Sequence, residues 1–208
     1  MFVRATPSWC GEIRDFPERY LTEELPSYGT FQVPAAGFFQ TNPFVASELC
    51  RRVLEVIDHY KVRSMLELFC GTGVFSLAAA EKNKDLLTHG IELAADSITA
   101  ACCNAKAKGL AERCTFQAGD AAVFSSGTPR DLLLIDPPRS GLELKLVKKL
   151  LKSRIPLLLY ISCGPDTLSR DLKLLEPGYE VLESGALDMF PCTAHFETFT
   201  ILSLRKQC

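Results

Sequence analysis

Apolar runs of strand length alternate with helix-length amphipathic stretches over most of this 208-residue chain. Five apolar runs occupy residues 65–69, 86–92, 113–118, 131–136 and 155–161. Stretches with apolar residues at helical spacing occupy 43–61, 74–81, 96–108, 142–152 and 166–175. Runs that are apolar at consecutive positions are typical of parallel strands buried on both faces. The alternation therefore predicts an α/β fold built on a parallel sheet.

The last part of the chain departs from this alternation. Residues 179–187 and 196–204 have the composition of strands, and no helical stretch separates them. Two strands joined without a crossover helix pair in antiparallel fashion. We therefore expect a mostly parallel, seven-stranded sheet with one antiparallel strand near its end.

Residues 1–40 show neither pattern. Four prolines are spread through them, and strand-like pieces such as residues 30–33 are short. A segment with so few apolar runs is not expected to fold alone. We predict a main domain at 41–208 and an irregular segment at 1–40, which is the remnant of a preceding domain or a cover on the main one. An extension with no role beyond packing is an equal alternative.

Composition narrows the class of protein. Nine cysteines are scattered without a CxxC pair or a zinc-ligand spacing, which predicts reduced thiols and no metal. No apolar run approaches the length of a membrane span, and no leader opens the chain. We therefore expect a cytoplasmic protein that is not associated with a membrane. A formal net charge of −2 argues against a surface that binds phosphate throughout, but it allows a local basic groove. The oligomeric state is not indicated.

A glycine turn follows the first strand of the main domain. Gly71 and Gly73 allow the backbone to turn tightly, so that the N–H groups of the next helix point above the strand end. The second strand ends in Glu92, where a doubly wound sheet places an acid against ribose hydroxyls. Ser76 stands where a dinucleotide fingerprint has its third glycine. The pattern therefore favours an adenosyl ligand without pyrophosphate over a nicotinamide cofactor.

Several reactive side chains fall at the carboxyl ends of the predicted strands, where open α/β sheets bind ligands. Asp120, Asp136 and Cys163 follow strand ends, and the final antiparallel strand brings His195 and Glu197 to the same edge. A lone histidine here is more often packed or hydrogen-bonded than a ligand. The sequence thus predicts one site that combines a thiol with several carboxylates.

Each of these side chains has a structural alternative. The prolines after Asp136 hold its carboxylate at the strand end, where it can accept the N3–H of uracil or merely cap a helix. Cys163 precedes a helix N-terminus, which can lower its thiol pKa, but such a cysteine is more often inert packing. Glu197 lies among apolar residues, where burial raises its pKa towards that of a general base; a structural ion pair would look the same.

Five motifs occur in order: FFQTN at 38–42, ELFCGTG at 67–73, DPPRSG at 136–141, SCGPDTLSRD at 162–171 and DMFPCTAHFE at 188–197. Together they resemble the RNA uracil-C5 methyltransferases, which use S-adenosylmethionine to make 5-methyluridine in transfer and ribosomal RNA. The resemblance covers about residues 20–208. It implies the Rossmann-like class I methyltransferase fold and an RNA substrate with a single-stranded or flipped uridine.

The resemblance also implies roles for individual residues. Cys163 would be the nucleophile and Glu197 the base. S-adenosylmethionine would lie on the glycine turn, with Glu92 on its ribose. The implied cofactor-binding residues are Gln40, Glu67, Phe69, Gly71, Gly73, Glu92, Asp120 and Asp136, and the implied substrate-binding residues are Phe38, Asp136 and Arg139.

Two departures bear on the substrate and on the extent of the chain. The related cytosine-C5 enzymes carry a second cysteine where this chain has Pro138 and Arg139, which favours uracil. Fuller family members carry an N-terminal RNA-binding barrel, which this chain lacks, so we expect a fragment or a reduced member. A methyltransferase of the same fold with another substrate, and a non-catalytic cofactor-binding module, remain alternatives.

Overall fold

The computed structural model describes residues 20–125, 129–189, 191–193 and 196–206. The elements in chain order are β1 (Tyr20–Leu25), β2 (Gly29–Pro34), α1 (Pro43–Tyr60), β3 (Ser64–Leu68), α2 (Val74–Lys82), β4 (Leu87–Glu92), α3 (Ala95–Ala107), β5 (Cys114–Ala118), a 3-10 turn (Ala121–Val123), β6 (Leu132–Ile135), α4 (Leu144–Ser153), β7 (Leu157–Ser162), α5 (Pro165–Leu175), β8 (Tyr179–Leu187) and β9 (Glu197–Leu204). The predicted helices and main-domain strands are confirmed, with bounds shifted by one or two residues.

Seven strands form the main sheet in the order β5-β4-β3-β6-β7-β9-β8. The first five pair in parallel, whereas β9 is antiparallel to both of its neighbours. The predicted sheet with one antiparallel strand is therefore confirmed. Because the chain leaves β3 in one direction for β4 and β5 and later returns to its other side for β6, the strand order reverses at the end of β3, where doubly wound sheets bind ligands.

Two apolar cores cover the two faces of the sheet. One contains the buried faces of α1 and α2 with part of α3, and the other contains those of α4 and α5. All four residues of β6 are buried, because this strand lies in the middle of the sheet with helices on both sides. This double burial explains why the strands are apolar at consecutive positions.

Helix α1 begins and ends where its capping residues predict. The Asn42 side chain accepts hydrogen bonds from the N–H groups of Phe44 and Val45, and Pro43 occupies the first helical position. Lys61 ends the helix in the left-handed conformation. The Asn42 amide also donates to the main-chain oxygen of Met189 at 3.3 Å, which fixes the start of α1 against the segment between β8 and β9.

The segment before α1 is more regular than its sequence indicates. We expect residues 1–40 to be irregular, but β1 and β2 pair over six residues each as an antiparallel hairpin. The expected strand-like piece at 30–33 lies within β2. The sequence does not indicate β1, because the adjacent Glu23 and Glu24 interrupt its apolar pattern. Leu25, Phe31 and Val33 are buried in the core shared with α1 and α2. Tertiary packing therefore orders a segment with weak local signals; residues 1–19 lie outside the described part.

None of the helices in the described part of the chain is both long enough and apolar enough to cross a membrane. In the same residues, no three His, Cys, Asp or Glu side chains are grouped as metal ligands, and the seven cysteines are free thiols.

Candidate active site

The pairing of β7 with β9 brings Cys163 and Glu197 to the same place. Ser162 is opposite Thr198 in this antiparallel register, so the next residue of one strand faces the preceding residue of the other. The Thr198 hydroxyl donates to the main-chain oxygen of Ser162 at 3.0 Å, which holds the two strand ends together. The sheet thus unites two residues that are 34 positions apart in the sequence.

Burial changes the acidity of both side chains. The Cys163 thiol is partly buried, and desolvation raises its pKa; the negative charge of Glu197 acts in the same direction. The net effect on the thiol pKa is therefore a rise, although a helix N-terminus by itself can lower such a pKa. Arg139 lowers the thiol pKa but does not offset the burial. Desolvation also raises the pKa of Glu197 to about 7, against a smaller opposing effect of Arg139, as the apolar surroundings predict.

Asp136 lies one residue beyond β6, which pairs with β7, and its negative charge contributes to the raised pKa of Cys163. Its side chain accepts a hydrogen bond from the Gln40 amide at 3.5 Å. Burial raises its pKa well above the ordinary value, and the charges of Glu197 and Glu67 contribute further. The Gln40 amide, the Asp136 carboxyl group and the Cys163 thiol thus come from three separate segments to one edge of the sheet.

The loop that carries Arg139 is held by α5. Asp171 is fully buried and accepts hydrogen bonds from the Leu142 N–H and the Tyr160 hydroxyl, each at 2.7 Å. Arg170 donates to the main-chain oxygens of Ser140 at 2.9 Å and Leu142 at 3.2 Å. The sequence alone gives no role for these two side chains, although both belong to the motif that contains Cys163. The structure shows that they hold the DPPRSG loop in place.

The glycine turn after β3 has an unusual backbone. Phe69, Gly71 and Gly73 all have positive φ angles, of 62°, 52° and 79°. A Cβ atom at Gly73 would lie 2.6 Å from the Phe116 ring, so a side chain there is sterically excluded. A Cβ atom at Gly71 would meet nothing within 4 Å, so the space above this residue is open.

Glu92 lies beside this open space at the end of β4. One of its carboxylate oxygens accepts from the Gly71 N–H at 3.2 Å, and the other accepts from the Ala94 N–H at 3.0 Å. A carboxylate has about four acceptor sites, so both oxygens can accept further hydrogen bonds from hydroxyl groups. An open glycine turn beside an oriented carboxylate fits the ribose part of an adenosyl ligand.

The other predicted site residues differ in their access to this edge. Glu67 is 1 % exposed, and its carboxylate accepts hydrogen bonds from the main-chain N–H and hydroxyl of Ser76, so it supports the start of α2 from below the turn. Asp120 is half-exposed and accepts from the Ala122 N–H at 2.8 Å. Phe38 is 71 % exposed beside the segment that carries Gln40. His195 lies outside the described residues.

Comparison with known proteins shows which methyltransferases this chain resembles. A family model described as tRNA (Uracil-5-)-methyltransferase matches residues 128–205, and a general methyltransferase-domain model matches residues 60–154. The chain is 35% identical over 197 residues to the 23S rRNA (uracil(747)-C(5))-methyltransferase of Yersinia pseudotuberculosis, covering 94% of this chain and 50% of that protein. The chain is therefore similar to RNA uracil-C5 methyltransferases along most of its length.

A solved RNA uracil-C5 methyltransferase has the same architecture over the part that superposes on this chain. The Pyrococcus abyssi tRNA (uracil-54, C5)-methyltransferase, crystallised with S-adenosyl-L-homocysteine, superposes with a TM-score of 0.78 at 30% identity, covering 89% of this chain and 44% of that one. The N-methyltransferase NodS of Bradyrhizobium japonicum, at 18% identity and a TM-score of 0.62 over 80% of this chain and 90% of that one, shares the class I methyltransferase fold.

The chain spans about half the length of the curated relatives it matches. It covers 41% of an uncharacterised RNA methyltransferase of Clostridium acetobutylicum, at 35% identity over 90% of this chain, and 50% of the Yersinia protein. The shared half includes the sheet, the glycine turn and the edge that carries Cys163.

Proposed function

We propose that this chain is the catalytic domain that transfers a methyl group from S-adenosylmethionine to C5 of a uridine in ribosomal or transfer RNA. The observation that carries the proposal is the convergence of Cys163, Glu197 and Asp136 on one edge of the sheet, beside the open glycine turn. A nucleophile, a base with a pKa of about 7 and a carboxyl group next to an adenosyl-type site suit methylation of a pyrimidine ring.

The glycine turn and its surroundings are the proposed cofactor site. Glu92 would accept hydrogen bonds from the ribose hydroxyls, and the open space above Gly71 would receive the ligand. Phe69, Gly73 and Asp120 would line the same region, while Glu67 would act through its support of α2. When bound, S-adenosylmethionine supplies an electrophilic methyl group.

Cys163 is the proposed nucleophile because C5 of uracil does not attack a methyl group unaided. The thiolate adds to C6, and the electrons of the C5–C6 double bond move onto the ring as an enolate whose C5 is nucleophilic. Arg139 lowers the pKa of the thiol and so favours the thiolate. Burial opposes it, so most of the resting protein carries the neutral thiol at pH 7.

Glu197 is the proposed base of the second half of the reaction. Once C5 carries the new methyl group, the proton that C5 still holds must leave before the C5–C6 double bond can re-form. The Glu197 carboxylate removes this proton, the C5–C6 double bond re-forms, and the bond between sulfur and C6 breaks to release the Cys163 thiolate. A base with a pKa of about 7 is suited to accept a proton and lose it again near neutral pH.

Asp136 and Gln40 are placed to recognise the base. The ionised carboxylate of Asp136 accepts the N3–H of uracil, whereas cytosine presents a lone pair at N3. Because burial raises the pKa of Asp136, this recognition requires the side chain to lose its proton. Gln40 orients this carboxyl group through its 3.5 Å contact and keeps a free amide oxygen. Access to both faces of the ring requires the uridine to be unstacked or flipped out of its helix.

The decisive experiment is nucleoside mass spectrometry of unmodified ribosomal and transfer RNA after incubation with the chain and S-adenosylmethionine. We expect 5-methyluridine with the unmutated chain and a loss of at least 100-fold, or about 2.7 kcal/mol of transition-state stabilisation, with Cys163→Ala. The matched control is Cys103→Ala, because Cys103 is an exposed thiol on α3, away from the sheet edge. Methylation that survives Cys163→Ala would refute the proposed nucleophile.

A second variant separates the two catalytic roles. With Glu197→Gln, the addition and methylation steps remain possible but proton removal does not, so a covalent RNA adduct should accumulate and migrate slowly in a denaturing gel. The double variant with Cys163→Ala should form no adduct. A methylated nucleoside other than 5-methyluridine would indicate a methyltransferase with another substrate, and cofactor binding without any methylation would indicate a non-catalytic module.

We also propose that residues 41–208 are the catalytic domain and that the preceding segment is its cover. The packing of β2 against α3 supports the role of a cover, because the hairpin contributes to the core of the domain instead of forming its own.

A further inference from the structure

Charge is unevenly distributed along the chain. Residues 137–176, which include α4 and α5, carry eight Lys or Arg side chains against four Asp or Glu, a formal charge of +4. Because the whole chain carries −2, the remaining residues carry −6. Helices α4 and α5 pack against each other on the same face of the sheet. The acidic chain thus has one basic side.

Helix α4 provides the densest part of this basic side. Its ten residues include four lysines and no acidic residue. Lys145, Lys148 and Lys152 are exposed at spacings of three and four residues, which places them along one side of the helix. We call these three residues the α4 stripe. The fourth lysine, Lys149, is partly buried and donates to the main-chain oxygen of Ala122 at 2.8 Å.

The charges of the α4 stripe are not neutralised within the protein. In the described part of the chain, Lys148 and Lys152 form no ion pair, and Lys145 has only Asp120 at 3.6 Å, with both side chains more than half exposed. An ion pair this exposed contributes little. Helix α1 shows the opposite pattern, because the exposed Arg51 and the partly buried Arg52 are paired with Glu48 and Glu55. An uncompensated row of lysines is suited to a polyanion.

The α4 stripe is continuous with the proposed active site. Helix α4 begins three residues after the DPPRSG loop, whose Arg139 is exposed and acts on both Cys163 and Glu197. Lys145 is in the first turn of the helix, beside Asp120 at the same edge of the sheet. An RNA strand that leaves the proposed active site on this side therefore passes along the α4 stripe.

We propose that the α4 stripe binds the sugar–phosphate backbone of the substrate RNA next to the target uridine. The proposal rests on the proposed function and adds the surface that the RNA follows. Seven residues of helix separate Lys145 from Lys152, or about 10 Å. One strand passes about three phosphates over that distance, at about 3.4 Å per phosphate along a duplex axis. The three lysines therefore match about three phosphates.

The test measures the binding of fluorescein-labelled, unmodified transfer RNA transcript by anisotropy, without cofactor, at several salt concentrations between about 50 and 200 mM. Each phosphate contact contributes about 0.7 to the slope of log K against log salt for a single strand. The triple variant Lys145→Gln, Lys148→Gln, Lys152→Gln should therefore flatten the slope by about 2. Its affinity should fall at least tenfold at the lower salt concentration.

The matched control removes three other exposed lysines: Lys61→Gln, Lys84→Gln, Lys106→Gln. Lys61 and Lys84 follow α1 and α2, and Lys106 lies in the last turn of α3, so all three are outside the basic side. Their loss changes the net charge by the same amount. We expect this variant to keep the slope of the unmutated chain. Equal effects of the two triple variants, no effect of either, or no RNA binding by the unmutated chain would each overturn the proposal. Thermal melting verifies that both variants are folded.

Two further readouts separate this proposal from its alternatives. Unchanged binding by the stripe variant together with formation of 5-methyluridine would refute the stripe and leave the proposed function intact. Stripe-dependent RNA binding without any methylation would refute the proposed function and leave the stripe. Vesicles that contain phosphatidylserine serve as a second polyanion, and stripe-dependent binding to them that is tighter than to RNA would assign this surface to a membrane instead.

Discussion

Desolvation raises the pKa values of three carboxyl groups near the proposed active site. Glu67, Asp136 and Glu197 are each desolvated, and the pKa of Asp136 is raised further by the charges of the other two. Arg139 is the cation that acts on Glu197 and on the Cys163 thiol. Loss of its charge would therefore raise both pKa values, which makes Arg139 a positioning and electrostatic residue as well as a candidate substrate contact.

The two glycines of the turn make a matched pair for a residue-scale prediction. Gly71→Ala and Gly73→Ala both place an L-residue at positive φ, which costs roughly 1–2 kcal/mol each. Only Gly73→Ala also drives a methyl group into the Phe116 ring, for roughly 1–3 kcal/mol more. Urea unfolding should show this difference.

Cofactor affinity should be affected in a different way by the two changes. The methyl group of Gly71→Ala points into the open space of the proposed cofactor site, so we expect its dissociation constant for S-adenosylmethionine to rise at least tenfold, or about 1.4 kcal/mol, while the fold is largely kept. Titration calorimetry on both variants is the measurement. Unchanged affinity in a folded Gly71→Ala protein would contradict the placement of the cofactor.

At the scale of elements, α3 joins the hairpin to the glycine turn. Asn104 is buried; its side-chain oxygen accepts from the Gln32 N–H at 2.7 Å, and its amide donates to the Gln32 oxygen at 3.0 Å and the Thr72 oxygen at 3.3 Å. The Asn104 side chain thus forms hydrogen bonds with the main chain of both β2 and the glycine turn. The sequence contains no local signal for this contact, since Asn104 lies 72 residues from Gln32.

We predict that Asn104→Ala lowers the free energy of unfolding by about 1–3 kcal/mol, because it leaves buried main-chain polar groups without partners. Gln32→Ala is the matched control. It removes only an exposed side-chain contact with Thr22 and keeps the main-chain groups that bind Asn104, so its cost should stay within about 0.5 kcal/mol. Urea denaturation of both variants tests this, and equal costs would show that the main-chain contacts of Asn104 contribute nothing.

At the scale of the whole molecule, the desolvated carboxyl groups make stability depend on pH. The folded-state pKa values of Glu67 and Glu197 are both raised to about 7, so between about pH 4.5 and 7 the folded protein binds more protons than the unfolded chain. Stability from these groups is therefore greatest at the acidic end of this range and falls as pH rises through about 7. Above that, their contribution is constant.

Glu67→Gln isolates one of these groups. The neutral amide oxygen can still accept the Ser76 N–H, but it has no charge to desolvate, so the variant should gain stability relative to the unmutated chain as pH rises from about 5 to 8. Melting temperatures of the two proteins at these pH values provide the measurement. A constant difference across the range would contradict the raised pKa of Glu67.

The sequence by itself determined the elements and the edge at which the chemistry lies. Apolar periodicity and caps such as Asn42 are local signals, and a sheet of parallel strands necessarily brings its carboxyl ends, with Asp136 and Cys163, to one side. The family motifs covered the same residues. These features follow from neighbours along the chain, which is why they could be predicted within one or two residues.

Only the tertiary structure decided the acidity of the site, the order of residues 20–34 and the contacts of distant side chains. In the sequence, a helix N-terminus that can lower the pKa follows Cys163, whereas in the structure burial and Glu197 raise this pKa. Desolvation depends on every group that packs around an atom. The hairpin, similarly, is ordered by its packing on α3 and not by its own propensity, so neither result could be obtained from the chain in linear order.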